Sequence, residues 1–295
     1  MRPMRAIACL VLSASCSVAT AASTVRLPPW ACSVPDTVLR SGFDGSDAIP
    51  HDPSGGSGGA YPGNVTRSVA VAGIGSRDYF LRLPPAYAPG RPVPLLLAFH
   101  GAAGSQAGAR SAAQQVRTDW AARADAAGFA VLAPVGNSTQ GGWGASGDLA
   151  EIDAAIGDAF ARYDIEQSRV YLWGFSAGAH YGHWLALGNA GFFAAYGVSA
   201  GSLEQYACTD DGSWPPTCAA LLAGTSPKIP VDIHLGNADP LYLAYGAGGD
   251  PQRFRNGGWI DGQTLHYTLF AGGHTYTVAQ LGEIWQNLCP FALEP

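Results

Sequence analysis

Three short runs contain residues that could act together on an acyl group. Gly174-Phe175-Ser176-Ala177-Gly178 is a G-x-S-x-G pattern, Asn237-Ala238-Asp239-Pro240 holds a carboxylate, and Gly272-Gly273-His274 holds an imidazole. A serine hydroxyl is a weak nucleophile until a histidine takes its proton. The histidine in turn needs a carboxylate to fix its tautomer and stabilise the imidazolium. These residue types are those of nucleophilic acyl transfer. A G-x-S-x-G match alone is a weak signal, because small residues are common in turns. Its weight depends on the elements that carry it.

Those elements are readable. "RSVAVAG" and "RDYFLRL" flank a Gly turn and predict a hairpin. "VPLLLAF" (93–99) is a continuous apolar run, as in a parallel strand buried on both faces. A helical pattern over 111–128 stops at Gly128, and "FAVLAP" (129–134) predicts the next strand. A second helix is expected over 148–163, with Asp153 and Asp158 on its solvated face. "RVYLWGF" then leads as a strand into a helix over 177–188. Further strands are expected at 192–200, 229–236 and 264–270, with a closing helix at 277–288. Strands alternating with helices predict an α/β fold: a mostly parallel, doubly wound sheet with an antiparallel N-terminal hairpin.

In such a sheet, functional groups gather beyond the carboxyl ends of the strands. Ser176, Asp239 and His274 each follow a predicted strand, in the chain order of α/β-hydrolases. The serine would sit on a tight strand-to-helix turn that leaves no room for side chains at the flanking glycines. The Ala177 N–H would stabilise an oxyanion together with Ala102 from the loop after 93–99, which Gly101 lets come close. Asp232, Asp250 and Asp261 are the rival acids, but Asp232 falls within a strand and the other two in a Gly-rich region.

Of the seven histidines, His234 and His266 fall inside strands and His51 in a Gly-rich loop. His180 and His183 follow the serine closely, but the helix carries them away from the strand ends. As a zinc pair they lack a third ligand. His100 is a candidate for substrate contact or, more simply, a structural hydrogen bond. Trp143, in "STQGGWGASGD", could line an acyl subsite or pack on its own loop. Trp214, in "CTDDGSWPPTC" (208–218), belongs to a lid element or a structural Ω-loop.

With these motifs in place, the chain resembles a known group. "RDYFLRLPPAYAPGRPVPLLLAFHGAAGS", "GFSAG", "GNADP" and "GGH" look like the polyhydroxybutyrate depolymerase and feruloyl esterase group of secreted α/β-hydrolases, over roughly residues 66–289. The resemblance implies hydrolysis of carboxylic esters through an acyl-enzyme, without metal or cofactor. It carries the nucleophile onto Ser176, the acid onto Asp239, the base onto His274, and the oxyanion loop onto His100, Gly101 and Ala102. Two features depart from the group: His180 stands where a small residue is usual, and "LGNADP" replaces the more frequent "HGTAD". No C-terminal binding module is visible, so soluble or oligomeric esters are expected, or a polymer held by the catalytic domain itself.

Composition sets the setting. Charged residues make up 13% of the 295 residues, against a usual share of about 25%, and hydrophobic residues 47%, so the chain is core-rich. A net charge of -6 argues against a nucleic-acid partner. Arg2 and Arg5, the apolar run "AIACLVLSASCSVA" and "ATAAS" read as a signal peptide over 1–22, cut near Ala22. Export to the periplasm or exterior follows, with 23–65 as a Gly/Pro-rich segment and 66–295 as the catalytic domain. No other apolar run is long enough to span a membrane.

Cleavage leaves Cys32, Cys208, Cys218 and Cys289, an even set with three possible pairings. Cys208–Cys218 would close a short loop, leaving Cys32–Cys289 to join the domain ends. A monomeric serine esterase acting on oligomeric or polymeric polyesters or hydroxycinnamoyl esters is the leading expectation. A serine peptidase or lipase on the same fold, and an exported binding protein with an inactive fold, are its rivals.

Overall fold

The computed structural model describes residues 23–27, 32, 51–56, 63–204, 206–214 and 216–294. The expected signal segment 1–22 and most of the Gly-rich stretch before residue 63 lie outside the described residues.

Eight strands form one sheet in the order β2-β3-β5-β4-β6-β7-β8-β9. They are β2 (Gly63–Val71), β3 (Gly75–Leu83), β4 (Val93–Phe99), β5 (Ala130–Pro134), β6 (Ile165–Phe175), β7 (Ala195–Ser199), β8 (Val231–Gly236) and β9 (Leu265–Phe270). β2 and β3 make the expected hairpin, β3 also pairs antiparallel with β5, and every later pairing is parallel. All seven residues of β4 are buried. Leu95, Leu97 and Phe99 enter one apolar layer while Leu96 and Ala98 enter the other, the period-2 alternation of a strand covered on both faces.

Helix α2 (Ala145–Arg162) and α3 (Ala177–Gly188) cover one face; α1 (Gln106–Ala127) and α7 (Val278–Leu288) cover the other. Local signals set their ends. Ser105 caps α1 by accepting from Gly108 N–H, and Gly128 closes it in a left-handed conformation at φ 74°. Thr277 and Gln280 form a reciprocal capping box on α7. α1 begins five residues before the periodic pattern at 111–128, because over residues 106–110 only Ala109 is buried and one small residue carries no apolar period.

Three short helices were not foreseen: α4 (Cys218–Gly224), α5 (Pro240–Ala244) and α6 (Asp250–Asn256). A two-stranded sheet also joins β1 (Thr24–Arg26) to β10 (Phe291–Leu293). Beside it, Cys32 is bonded to Cys289, and the second disulfide is Cys208–Cys218. Asp158 is not on a solvated face. It accepts from Arg67 and Arg162 and, at 2.7 Å, from Tyr79 Oη, and the two guanidinium groups hold its pKa low against the desolvation of the pocket. Among the described residues no helix is long and apolar enough to cross a membrane.

Candidate active site

The strand-to-helix turn between β6 and α3 holds Ser176 at φ 54° and ψ -119°, a left-handed-side conformation that non-glycine residues rarely adopt. Its N–H is tied to Ser199 O at 3.0 Å. A side chain at Gly174 would collide with Gly178 O, and one at Gly178 with the carbonyls of Phe99 and His100. The two glycines let β4, β6 and α3 approach to backbone contact, which explains the spacing of the motif.

The loops after β8 and β9 bring two further groups to this turn. His274 Nε2 lies 2.8 Å from Ser176 Oγ, and His274 Nδ1 lies 2.9 Å from Asp239 Oδ2. Asp239 is the N-cap of α5: its Oδ1 accepts from Leu241 N–H at 2.9 Å, with Pro240 at the first helical position. The carboxylate is wholly buried while the imidazole keeps 35% of its exposure. The carboxylate is therefore withdrawn from water, and the imidazole stays open to solvent. The Phe175 ring lies 5.3 Å from the His274 ring, and Tyr276 packs on Phe175 while its hydroxyl donates to Asp119 at 2.6 Å.

Ala177 is the first residue of α3, where a backbone N–H has no acceptor within the helix. In the facing loop, Ala103 N–H is committed to Gly141 O at 3.1 Å, which leaves Ala102 as the free-standing neighbour. A Cβ on Gly142 would stand 3.7 Å from the Cβ atoms of both Ala102 and Ala177, so these two residues face each other across Gly142. A Cβ on Gly101 would press on Ser176 Cβ at 3.2 Å, so this glycine allows the loop its approach.

His100 and Trp143 support this loop from below. His100 is fully buried, accepts from Gly136 N–H at Nε2 (3.0 Å) and donates from Nδ1 to Gly101 O (2.7 Å). Burial lowers its pKa, which suits the neutral ring that this pattern requires. Trp143 is 7% exposed, donates to His100 O at 2.8 Å, and packs between Phe99, His100 and Tyr181. These contacts are those of the structural alternative for both side chains. Both hold the 100–103 loop in place, because the loop's backbone is fixed only if something fills the space beneath it.

Trp214 is half-buried on the loop closed by Cys208–Cys218. That loop is pinned by Arg253, whose Nε donates to Asp210 at 2.8 Å. Among the described residues no hydrogen bond or ring contact joins Trp214 to the three polar groups. The rival acids are placed elsewhere: Asp232 accepts from Asn287 on the α7 side, Asp261 pairs with Arg255, and Asp250 is buried against Arg253. His183 is fully buried, 3.1 Å from Tyr196 Oη, and burial pushes its pKa down to about 3. Among the described residues no group of His, Cys, Asp or Glu could hold a metal ion.

Solved structures share this architecture. A ferulic acid esterase superposes with a TM-score of 0.59 at 15% identity, covering 77% of this chain and 97% of its own. An S-formylglutathione hydrolase from Agrobacterium tumefaciens gives 0.53 at 17%, covering 79% and 98%. Porphyromonas gingivalis dipeptidyl peptidase 4 gives 0.57 at 15%, covering 78% of this chain and 35% of its own. The fold is the α/β-hydrolase fold. No family model matches the sequence, and neither does any curated protein. Identities this low establish the fold, and the chemistry has to be argued from the site.

Sequence reasoning missed Gly142, the Arg253 cluster and the contacts of His180. The pair Gly141-Gly142 was a visible signal for close backbone approach. The other two depend on segments far apart in the chain.

Proposed function

We propose that this chain is a serine carboxylic-ester hydrolase acting through an acyl-enzyme. The observation that carries the reading is the continuous line Ser176 Oγ–His274–Asp239, at 2.8 and 2.9 Å, on a strained turn at a helix N-terminus. His274 Nε2 takes the hydroxyl proton as Oγ attacks the ester carbonyl. Asp239 keeps Nδ1 protonated and stabilises the imidazolium. The Ala102 and Ala177 N–H groups receive the charge on the carbonyl oxygen. His274 then passes its proton to the leaving alcohol, and water repeats the sequence to free the acid.

For the substrate we favour an oligomeric or polymeric polyester or a hydroxycinnamoyl ester. The motif resemblance supports both, and the ferulic acid esterase neighbour is in keeping with the second. Export to the periplasm or exterior is part of the same reading, and two disulfides are compatible with an oxidising compartment. A panel of short p-nitrophenyl esters, methyl ferulate, solid polyhydroxybutyrate and a dipeptidyl anilide tests it. Ester turnover that disappears in Ser176→Ala is expected. Turnover of the anilide alone would assign the site to a peptidase, and no turnover or active-site labelling to a binding protein.

A further inference from the structure

His183 is explained by burial against Tyr196. His180 needs another account. It lies in the first turn of α3, where its N–H makes the regular helical bond to Ser176 O at 3.0 Å, so its side chain springs from the element that follows the nucleophile turn. Its half-buried ring lies in the seam between α3 and the 200–203 turn. Nδ1 accepts from Ser202 N–H at 3.0 Å and lies 2.9 Å from Ser202 O. Ser202 Oγ in turn donates to Tyr245 O at 2.8 Å. Tyr245 is the C-cap of α5, and the N-cap of the same helix is Asp239.

The 200–203 turn is anchored at both ends, and His180 holds its middle residue, Ser202. Ala200 is held at φ 54°, its N–H is bonded to His234 O at 2.9 Å, and Leu203 N–H is bonded to Asp250 Oδ2 at 2.9 Å. A single line of contacts therefore runs from Ser176 through His180 and Ser202 to the end of α5. None of the five residues of α5 is buried, so polar ties hold it: this line at Tyr245, the Asp239 cap at its start, and Arg253 on Gly246 O just beyond its end. An element without an apolar footing is held in place by its polar ties.

We infer that His180 is a positioning residue, fixing α5 relative to the nucleophile turn and thereby seating Asp239 against His274. The ring's hydrogen-bonding contacts are with Ser202, whereas Ser176 Oγ is paired with His274, so its part is structural to the catalytic line. Burial is the main influence on the ring and lowers its pKa. The Ser202 backbone contact and Asp239 act in the opposite direction, and charge on His274 acts with burial. A neutral ring protonated at Nε2 is the form that accepts from Ser202 N–H at Nδ1. The functional consequence rests on the esterase reading, whereas the tie itself does not.

Two variants separate position from volume. His180→Leu fills the seam without an acceptor, and His180→Asn places an amide oxygen where Nδ1 lies. Hydrogen–deuterium exchange of amides 241–246 is read beside kcat and KM on p-nitrophenyl acetate. In His180→Leu, exchange should rise and kcat fall, each about tenfold, with KM within about twofold. His180→Asn should return both to within about threefold of wild type. Ser202→Ala, which removes the Oγ bond to Tyr245 O at the other end of the line, should loosen the same amides.

Unchanged exchange in His180→Leu, or an Asn variant as impaired as the Leu variant, overturns the inference. If His180→Leu does not fold, tight amides 241–246 in Ser202→Ala do the same. A wild-type protein that hydrolyses no ester defeats the esterase reading, and the exchange arm still decides on the tie.

Discussion

Ser176 and the 100–103 loop stand on β6 and β4, in the middle of the sheet, whereas Asp239 and His274 stand beyond β8 and β9 at its edge. Packing fixes the first pair. Gly174, Gly178 and Gly101 are crowded by backbone or side chains, and His100 and Trp143 are buried beneath the loop. The second pair has a thinner apolar footing, with Leu243, Tyr245 and Val278 exposed around it. Its order comes from hydrogen bonds: Asp239 to Leu241 N–H, Ser202 to Tyr245 O, and Arg253 to Gly246 O, Glu204, Asp210 and Asp250. A site built this way should respond to added volume on one side and to lost polar atoms on the other.

The largest expected effect falls on the edge side. Asp239→Asn keeps the shape but offers the wrong partner to His274 Nδ1, and kcat should drop by about a hundredfold to ten-thousandfold with the fold intact. Steady-state kinetics beside circular dichroism checks this. A variant retaining a third of wild-type kcat would break the comparison.

Next comes one substitution made in both halves. Gly178→Ala drives a Cβ into the Phe99 and His100 carbonyls and should destabilise by about 1–3 kcal/mol. Gly273→Ala meets nothing within 4 Å and should stay within about 0.5 kcal/mol of wild type. Urea unfolding of the two variants measures the contrast directly, and equal losses would remove it.

The smallest effect concerns pH, and here the halves behave alike. Each contains a buried carboxyl that desolvation pushes up to about 7: Glu151, beside Asn137 under the 136–144 loop, and Asp250, against Arg253. Between the ordinary carboxyl range and about pH 7, the folded chain holds protons that the unfolded chain has released. The contribution of these two groups to stability is therefore greatest at the acid end of that window and is lost as pH rises towards about 7. Glu151→Gln and Asp250→Asn should each flatten the decline, as read from unfolding midpoints across that window. A wild-type profile rising over the same window would contradict both assignments.

Much of the central half was legible in the sequence because its signals are local. The run 93–99, the G-x-S-x-G spacing and the helix over 177–188 each depend on neighbouring residues, and α3 spans Ala177–Gly188. The edge half was legible only at its landmarks. Asp239 and His274 follow clear strands, but α5 is five residues long and too short to carry a period. Its N-cap Asp followed by Pro was a readable start signal, and nothing nearby announced that Ser202 would hold its other end. For His100 and Trp143 the sequence left substrate contact and a structural role both open, because both belong to loops beyond strand ends. The structure turns both beneath the loop, a distinction of side-chain direction that strand position does not encode.

The central claim is that Ser176 carries an acyl group during turnover. Rapid mixing with a p-nitrophenyl ester, followed by acid quench and peptide mass spectrometry, tests it most directly. Acyl mass on the peptide containing Ser176 is expected, with a nitrophenol burst approaching one equivalent if deacylation is the slower step, and neither signal in Ser176→Ala. Turnover that continues in Ser176→Ala, or an acyl group found on another residue, would contradict it.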